Sequence, residues 1–94
     1  MSDNKLMETL GILQEECAEV IQAVSKYRRF GENNRLALEQ EIGDMLCIVV
    51  LLEQQGFISE TGMELAMSRK LEKLKKYSNI VGDYSNERTN KRVG

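Results

Sequence analysis

Carboxylates arrive in two tight groups along this chain. Glu15-Glu16-Cys17-Ala18-Glu19 sets Glu16 and Glu19 three positions apart, and Glu39-Gln40-Glu41-Ile42-Gly43-Asp44 does the same for Glu41 and Asp44. On a helix, residues three apart project from one side, about one turn apart, and like charges at that spacing cost a few tenths of a kcal/mol. Apolar neighbours flank both groups: Leu13, Cys17 and Val20 beside the first, Ile42, Met45 and Leu46 beside the second. Carboxylates at the edge of a core are costly unless something neutralises them. If two helices carrying these groups pack antiparallel, Glu16, Glu19, Glu41 and Asp44 face one another as hard oxygen donors. Such a set selects Mg²⁺ or Mn²⁺ over zinc or copper. The competing reading leaves the acids solvated and paired with Lys26, Arg28 or Arg35. Gly43 costs about 1 kcal/mol relative to Ala in a helix interior, which predicts a close approach there of the first helix or of a ligand.

A basic run follows, Arg69-Lys70-Leu71-Glu72-Lys73-Leu74-Lys75-Lys76-Tyr77, with Lys70 and Lys73 again three apart. It reads either as a clamp for phosphate or as an amphipathic helix whose cations favour its C-terminus. The charge is divided accordingly. Residues 1–64 carry 5 basic and 12 acidic groups, 5 − 12 = −7, and residues 65–94 carry 8 and 3, 8 − 3 = +5. The acidic part does not suit a nucleic-acid backbone, which wants a basic face, so no nucleic-acid partner is expected. Tyr27, Arg28, Arg29 and Phe30 either stack on a base or cap the core. The absence of histidine excludes a Ser-His-Asp triad, a His-ligated zinc and a His general base. Cys17 and Cys47 fall in apolar patterns and read as buried, reduced thiols of a cytosolic protein.

Three helices must position these residues. Leu6, Leu10, Leu13, Cys17, Val20, Val24 and Tyr27 step by fours and threes, an apolar stripe that predicts a helix from about Lys5 to Arg29. Ser2, Asp3 or Asn4 is its expected N-cap, and Gly31 its left-handed C-terminal cap. A second helix is predicted from about Arg35 to Gln55, capped by Asn33 or Asn34 and stopped by Gly56. Its centre, Met45 to Leu52, is apolar on every side; β-branched Ile48, Val49 and Val50 make a strand the alternative, but length and the flanking helix formers favour helix. A third starts near Ser59 or Thr61, where Thr61 and Glu64 fit a capping box, and runs to about Asn79. Residues 80–94 are polar and without period, a C-terminal tail after one domain at 1–79.

A chain of 94 residues holds one small core, and the composition, 41% hydrophobic and 30% charged, argues against wholesale disorder. Three short helices cannot surround an all-apolar second helix, so the expected architecture is an all-α small helical bundle completed by homo-oligomerisation, as a dimer or tetramer. The Met45–Leu52 run is too short to cross a bilayer, which takes about 20 residues, and no signal peptide is expected at the N-terminus.

The stretches LQEECAEVIQAVSKYRRFG, LEQEIGDMLCIVVLLE and SRKLEKLKKY together resemble the MazG-like all-α nucleoside triphosphate pyrophosphohydrolases, most of all the compact single-domain members of bacteriophage genomes. Their signature is E-E-x-x-E, a variable gap, then E-x-x-D, with Lys and Arg on the next helix. Glu15, Glu16 and Glu19 match the first part, Glu41 and Asp44 the second. The resemblance implies Mg²⁺-dependent cleavage of a nucleoside triphosphate between its α- and β-phosphates, in the cytoplasm, the host's if the chain is phage-encoded, by a dimer or a dimer of dimers. It implies Glu16, Glu19, Glu41 and Asp44 as metal ligands. Glu15 would orient or deprotonate the attacking water, or hold a basic partner, and Lys70 and Lys73 would contact phosphate. Gln40 stands where the family often has a second acid, and Ser68 in the region where it often has Asn. Two other classes remain open at this point: a phosphoribosyl-ATP pyrophosphohydrolase-like enzyme, and a non-enzymatic helical dimer.

Overall fold

A computed structural model describes residues 3–81. They are all-α, with three helices and, among the described residues, no strand. Helix α1 spans Asp3–Phe30, α2 spans Arg35–Gln54 and α3 spans Glu60–Tyr77. The chain divides into two compact units, Met1–Ile58 with α1 and α2, and Ser59–Gly94 with α3.

The first unit is an antiparallel helical hairpin. Its turn works because Gly31 takes φ 86° and ψ −152°, a region essentially reserved for glycine. The positive φ matches the expected cap, but ψ lies far from the left-handed helical value. The Gly31 N–H donates to the Tyr27 carbonyl at 2.8 Å, and a single 3₁₀ turn, Glu32–Asn34, leads into α2. Glu32 braces this turn. One of its oxygens accepts from the Tyr27 hydroxyl at 2.9 Å and the other pairs with Arg35 Nε at 3.0 Å. Asn34 is the N-cap residue of α2 without a side-chain capping bond; its amide donates weakly to the Gly31 carbonyl at 3.4 Å. At the opposite end, Gly56 with φ 77° closes α2. Gly56 N–H donates to Glu53 O and Phe57 N–H to Leu52 O, the paired bonds of a Schellman motif.

The open end of the hairpin is pinned by a polar contact. Gln55 Nε2 donates to Thr9 Oγ1 at 3.0 Å, and the Thr9 hydroxyl donates to the Lys5 carbonyl at 2.8 Å. Thr9 and Ala23 of α1 and Leu52 of α2 are buried. The apolar centre of α2 is helical throughout, so the strand alternative falls. Much of it is nevertheless uncovered: Ile42, Leu46 and Val50, four apart on one face, are 37%, 50% and 47% exposed, whereas Leu52 is 2% exposed.

Several local expectations change. Asp3 and Asn4 lie inside α1, and Ser2 lies outside the described residues. The cap of α3 is Ser59, whose hydroxyl accepts from Gly62 N–H at 2.9 Å. That bond starts the helix before Thr61 and displaces the Thr61–Glu64 capping box. The helix ends at Tyr77 rather than Asn79, where Ser78 turns extended. Cys17 is half-buried and Cys47 is exposed, both as free thiols; the apolar stretch around Cys47 is not covered on that side. A Cβ on Gly43 would meet nothing within 4 Å, so no close approach of α1 explains that glycine. Of the tail at 80–94, residues from 82 onward lie outside the described residues.

Candidate metal centre

Antiparallel pairing of α1 and α2 brings the middle of one helix against the middle of the other. Carboxylate oxygens of Glu16, Glu41 and Asp44 all lie within 4.8 Å of one another. Glu41 and Asp44 reach the group because three positions are nearly one turn, and Glu16 meets them across the seam. Glu16 and Glu41 are half-buried and Asp44 is exposed, so the group sits at the rim of the thin core with one side open.

The electrostatics are those of an unbalanced anion cluster. Burial first, then the charges of Asp44, Glu41, Glu19 and Glu15, raise the Glu16 carboxyl above its ordinary pKa. Desolvation and like charges both favour the protonated form. The ion pairs among the described residues join Arg35 to Glu32 and Lys75 to Glu72. None of them uses Glu16, Glu19, Glu41 or Asp44, so the competing reading, in which Lys26, Arg28 or Arg35 neutralise the acids, finds no contact to support it.

Glu19 falls outside the close group of three. It lines a small adjoining cavity between α1 and α2 with Gln22, Lys26, Asn34 and Glu41. Glu15 is exposed beside Glu16. Lys70 and Lys73 are exposed on α3, in the other unit.

The donor set fits a hard divalent cation. It is all oxygen, carries three negative charges and includes no thiolate or imidazole. Oxygens bound to one Mg²⁺ at 2.0–2.1 Å lie roughly 3–4 Å apart, so small side-chain movements close the group.

The sequence matches the model of the MazG nucleotide pyrophosphohydrolase domain over residues 5–80. The chain belongs to that family. No curated protein and no solved structure gives a significant match. The matched span of the MazG domain takes in both acidic groups and all of α3, and the all-α fold agrees with it. Family membership supports a nucleotide-hydrolysing enzyme and a nucleotide as its substrate. Among the described residues, no helix is long and apolar enough to cross a membrane.

The acidic motifs include neither Gln22 nor Asn34; the sequence marks Asn34 only as a helix cap and Lys26 only as a partner for the acids. A signal was present: Glu19, Gln22, Ala23 and Lys26 recur at i, i+3, i+4 and i+7, one face of α1, continuous with Glu16.

Proposed function

We propose that this MazG-family chain hydrolyses a ribo- or deoxynucleoside triphosphate between the α- and β-phosphates, giving a nucleoside monophosphate and pyrophosphate, with Mg²⁺ as cofactor and Mn²⁺ as a substitute. The observation that carries the reading is the meeting of Glu16, Glu41 and Asp44 from two helices. Glu19, one turn beyond Glu16, would join them as a fourth ligand. When bound, the cation would draw charge from the phosphate oxygens and make a water easier to deprotonate.

The chain's own residues do the rest by position and charge, since phosphoryl transfer asks little covalent chemistry of the protein. Glu15 and Glu16 are the groups assigned to the attacking water. Glu15, exposed beside Glu16, would orient this water or accept its proton, and Glu16 would act on it through the cation. The water oxygen joins phosphorus, the bridging P–O bond breaks, and its electrons leave on pyrophosphate. Lys70 and Lys73 are assigned to phosphate contacts. The enzyme would work in the cytoplasm as a homodimer or homotetramer, since the Ile42, Leu46 and Val50 face is uncovered in the single chain.

The test is release of pyrophosphate and monophosphate from each of the common ribo- and deoxynucleoside triphosphates, with and without Mg²⁺. Equal amounts of the two products, formed only with metal, are expected. Orthophosphate as the product, or no turnover of any triphosphate, would overturn the reading.

A further inference from the structure

The cavity beside the acid group holds the one basic side chain of the first unit that lines it, Lys26, together with the amides of Gln22 and Asn34. It shares Glu41 with the acid group and so adjoins it. Its volume is about 60 Å³, room for a group of a few atoms. That is well below the roughly 300 Å³ at the small end of pockets that enclose a whole ligand. The cavity therefore takes part of a substrate and leaves the remainder outside.

Charge decides which part. The four carboxylates proposed as ligands and one divalent cation leave a net −2, so the phosphates of a triphosphate lying against them need positive charge from the first unit beyond that assigned to Lys70 and Lys73. Lys5 sits at the other end of α1, eleven positions before Glu16. Arg35 is held by Glu32, and the Arg29 guanidinium lies 5.8 Å from the centre of the Phe30 ring. Lys26 forms no ion pair among the described residues and faces the cavity. Side chains on helices lean toward the helix N-terminus, which from Lys26 is the direction of Glu19.

We infer that Lys26, assisted by the amide groups of Gln22 and Asn34, binds the terminal phosphate of the substrate's pyrophosphate portion in this cavity, so that the phosphate chain runs from the acid group toward the Gly31 turn. The inference rests on the reaction proposed above and adds a polarity to it: the nucleoside lies away from the closed end of the hairpin. Glu19 and Glu41 on the same wall repel bare pyrophosphate, so binding requires a divalent cation.

The experiment is calorimetric titration of inorganic pyrophosphate, and separately of the matching nucleoside monophosphate, into the full chain with and without Mg²⁺. Wild type, Lys26→Met, Lys26→Gln, Lys26→Arg and Arg28→Met are compared, the last removing an equal charge outside the cavity. Loss of one charge-assisted hydrogen bond should weaken pyrophosphate binding about 10- to 100-fold in the Met and Gln variants. Lys26→Arg keeps the charge and should bind pyrophosphate more tightly than the Met and Gln variants. Arg28→Met should match wild type, and monophosphate binding should not change in any variant. Pyrophosphate binding by Lys26→Met and Lys26→Gln equal to wild type, an equal loss in Arg28→Met, or no metal-dependent pyrophosphate binding by wild type would each overturn the site. A wild type that binds pyrophosphate through Lys26 yet releases none from any triphosphate overturns the proposed reaction and leaves this site standing.

Discussion

Removing a single anionic oxygen donor should separate an active site from a set of solvated acids. Glu16→Gln, Glu41→Gln and Asp44→Asn keep shape and withdraw one hard ligand each. A loss of transition-state stabilisation of about 3–4 kcal/mol lowers the rate roughly 100- to 1000-fold, read as Mg²⁺-dependent pyrophosphate release; Glu19→Gln is expected to behave likewise if that side chain joins the ligands. Full activity in any two of the four would refute the four-carboxylate set. The same residues predict a stability effect of opposite sign. The Glu16 pKa is raised in the folded protein, so its contribution to stability is fully present below the unfolded pKa and is lost as pH rises through the folded one. Without metal, Glu16→Gln should therefore melt higher than wild type near pH 7, and the gap should close as pH falls into the carboxylate range. Thermal melts across pH decide this; a Gln variant that melts lower at pH 7 contradicts it.

At the scale of elements, the periodicity carried most of the information. The steps from Leu6 to Tyr27 located α1 within a few residues, and Gly31 and Gly56 marked real breaks because both need positive φ. Competition among neighbouring polar groups was not legible. Ser59 and Thr61 are both residues that can cap a helix, and only geometry shows that the Ser59 hydroxyl takes the Gly62 N–H. Likewise the Thr9–Gln55 bond joins positions 46 apart, and no local pattern announces it. Spacing aligned Glu16 with Glu19 and Glu41 with Asp44, but it could not say that Glu16 meets Glu41 and Asp44 while Glu19 turns to the adjoining cavity. Two substitutions follow. Ser59→Ala should cost about 1 kcal/mol through loss of the cap, seen in chemical denaturation. Gly43→Ala should stabilise the protein by up to about 1 kcal/mol, since its Cβ meets open space. A destabilised or inactive Gly43→Ala would mean that a partner or ligand closes on that position.

For the whole molecule, the limiting fact is how little apolar surface a single chain covers. Leu52 is the most enclosed large side chain, while Ile42, Leu46 and Val50 line one exposed face. Burying two or three such side chains against a second copy contributes very roughly 3–8 kcal/mol before association costs. Val50→Glu should convert a dimer or tetramer to monomer or unfold it, as measured by light scattering. A wild type that is a folded monomer at high micromolar concentration would remove the case for assembly. One further consequence lies in the two fastenings of the hairpin, the Glu32-braced turn and the Thr9–Gln55 bond. Fixed at both ends, the helices work as a calliper whose jaws are Glu16 on one side and Glu41 with Asp44 on the other. A calliper with a set gap sorts ions by radius. Mg²⁺ at 2.0–2.1 Å and Ca²⁺ at 2.3–2.6 Å from their oxygens ask for different openings. Loosening one fastening with Thr9→Val should therefore narrow the difference between Mg²⁺ and Ca²⁺ affinities, even in a variant that remains folded.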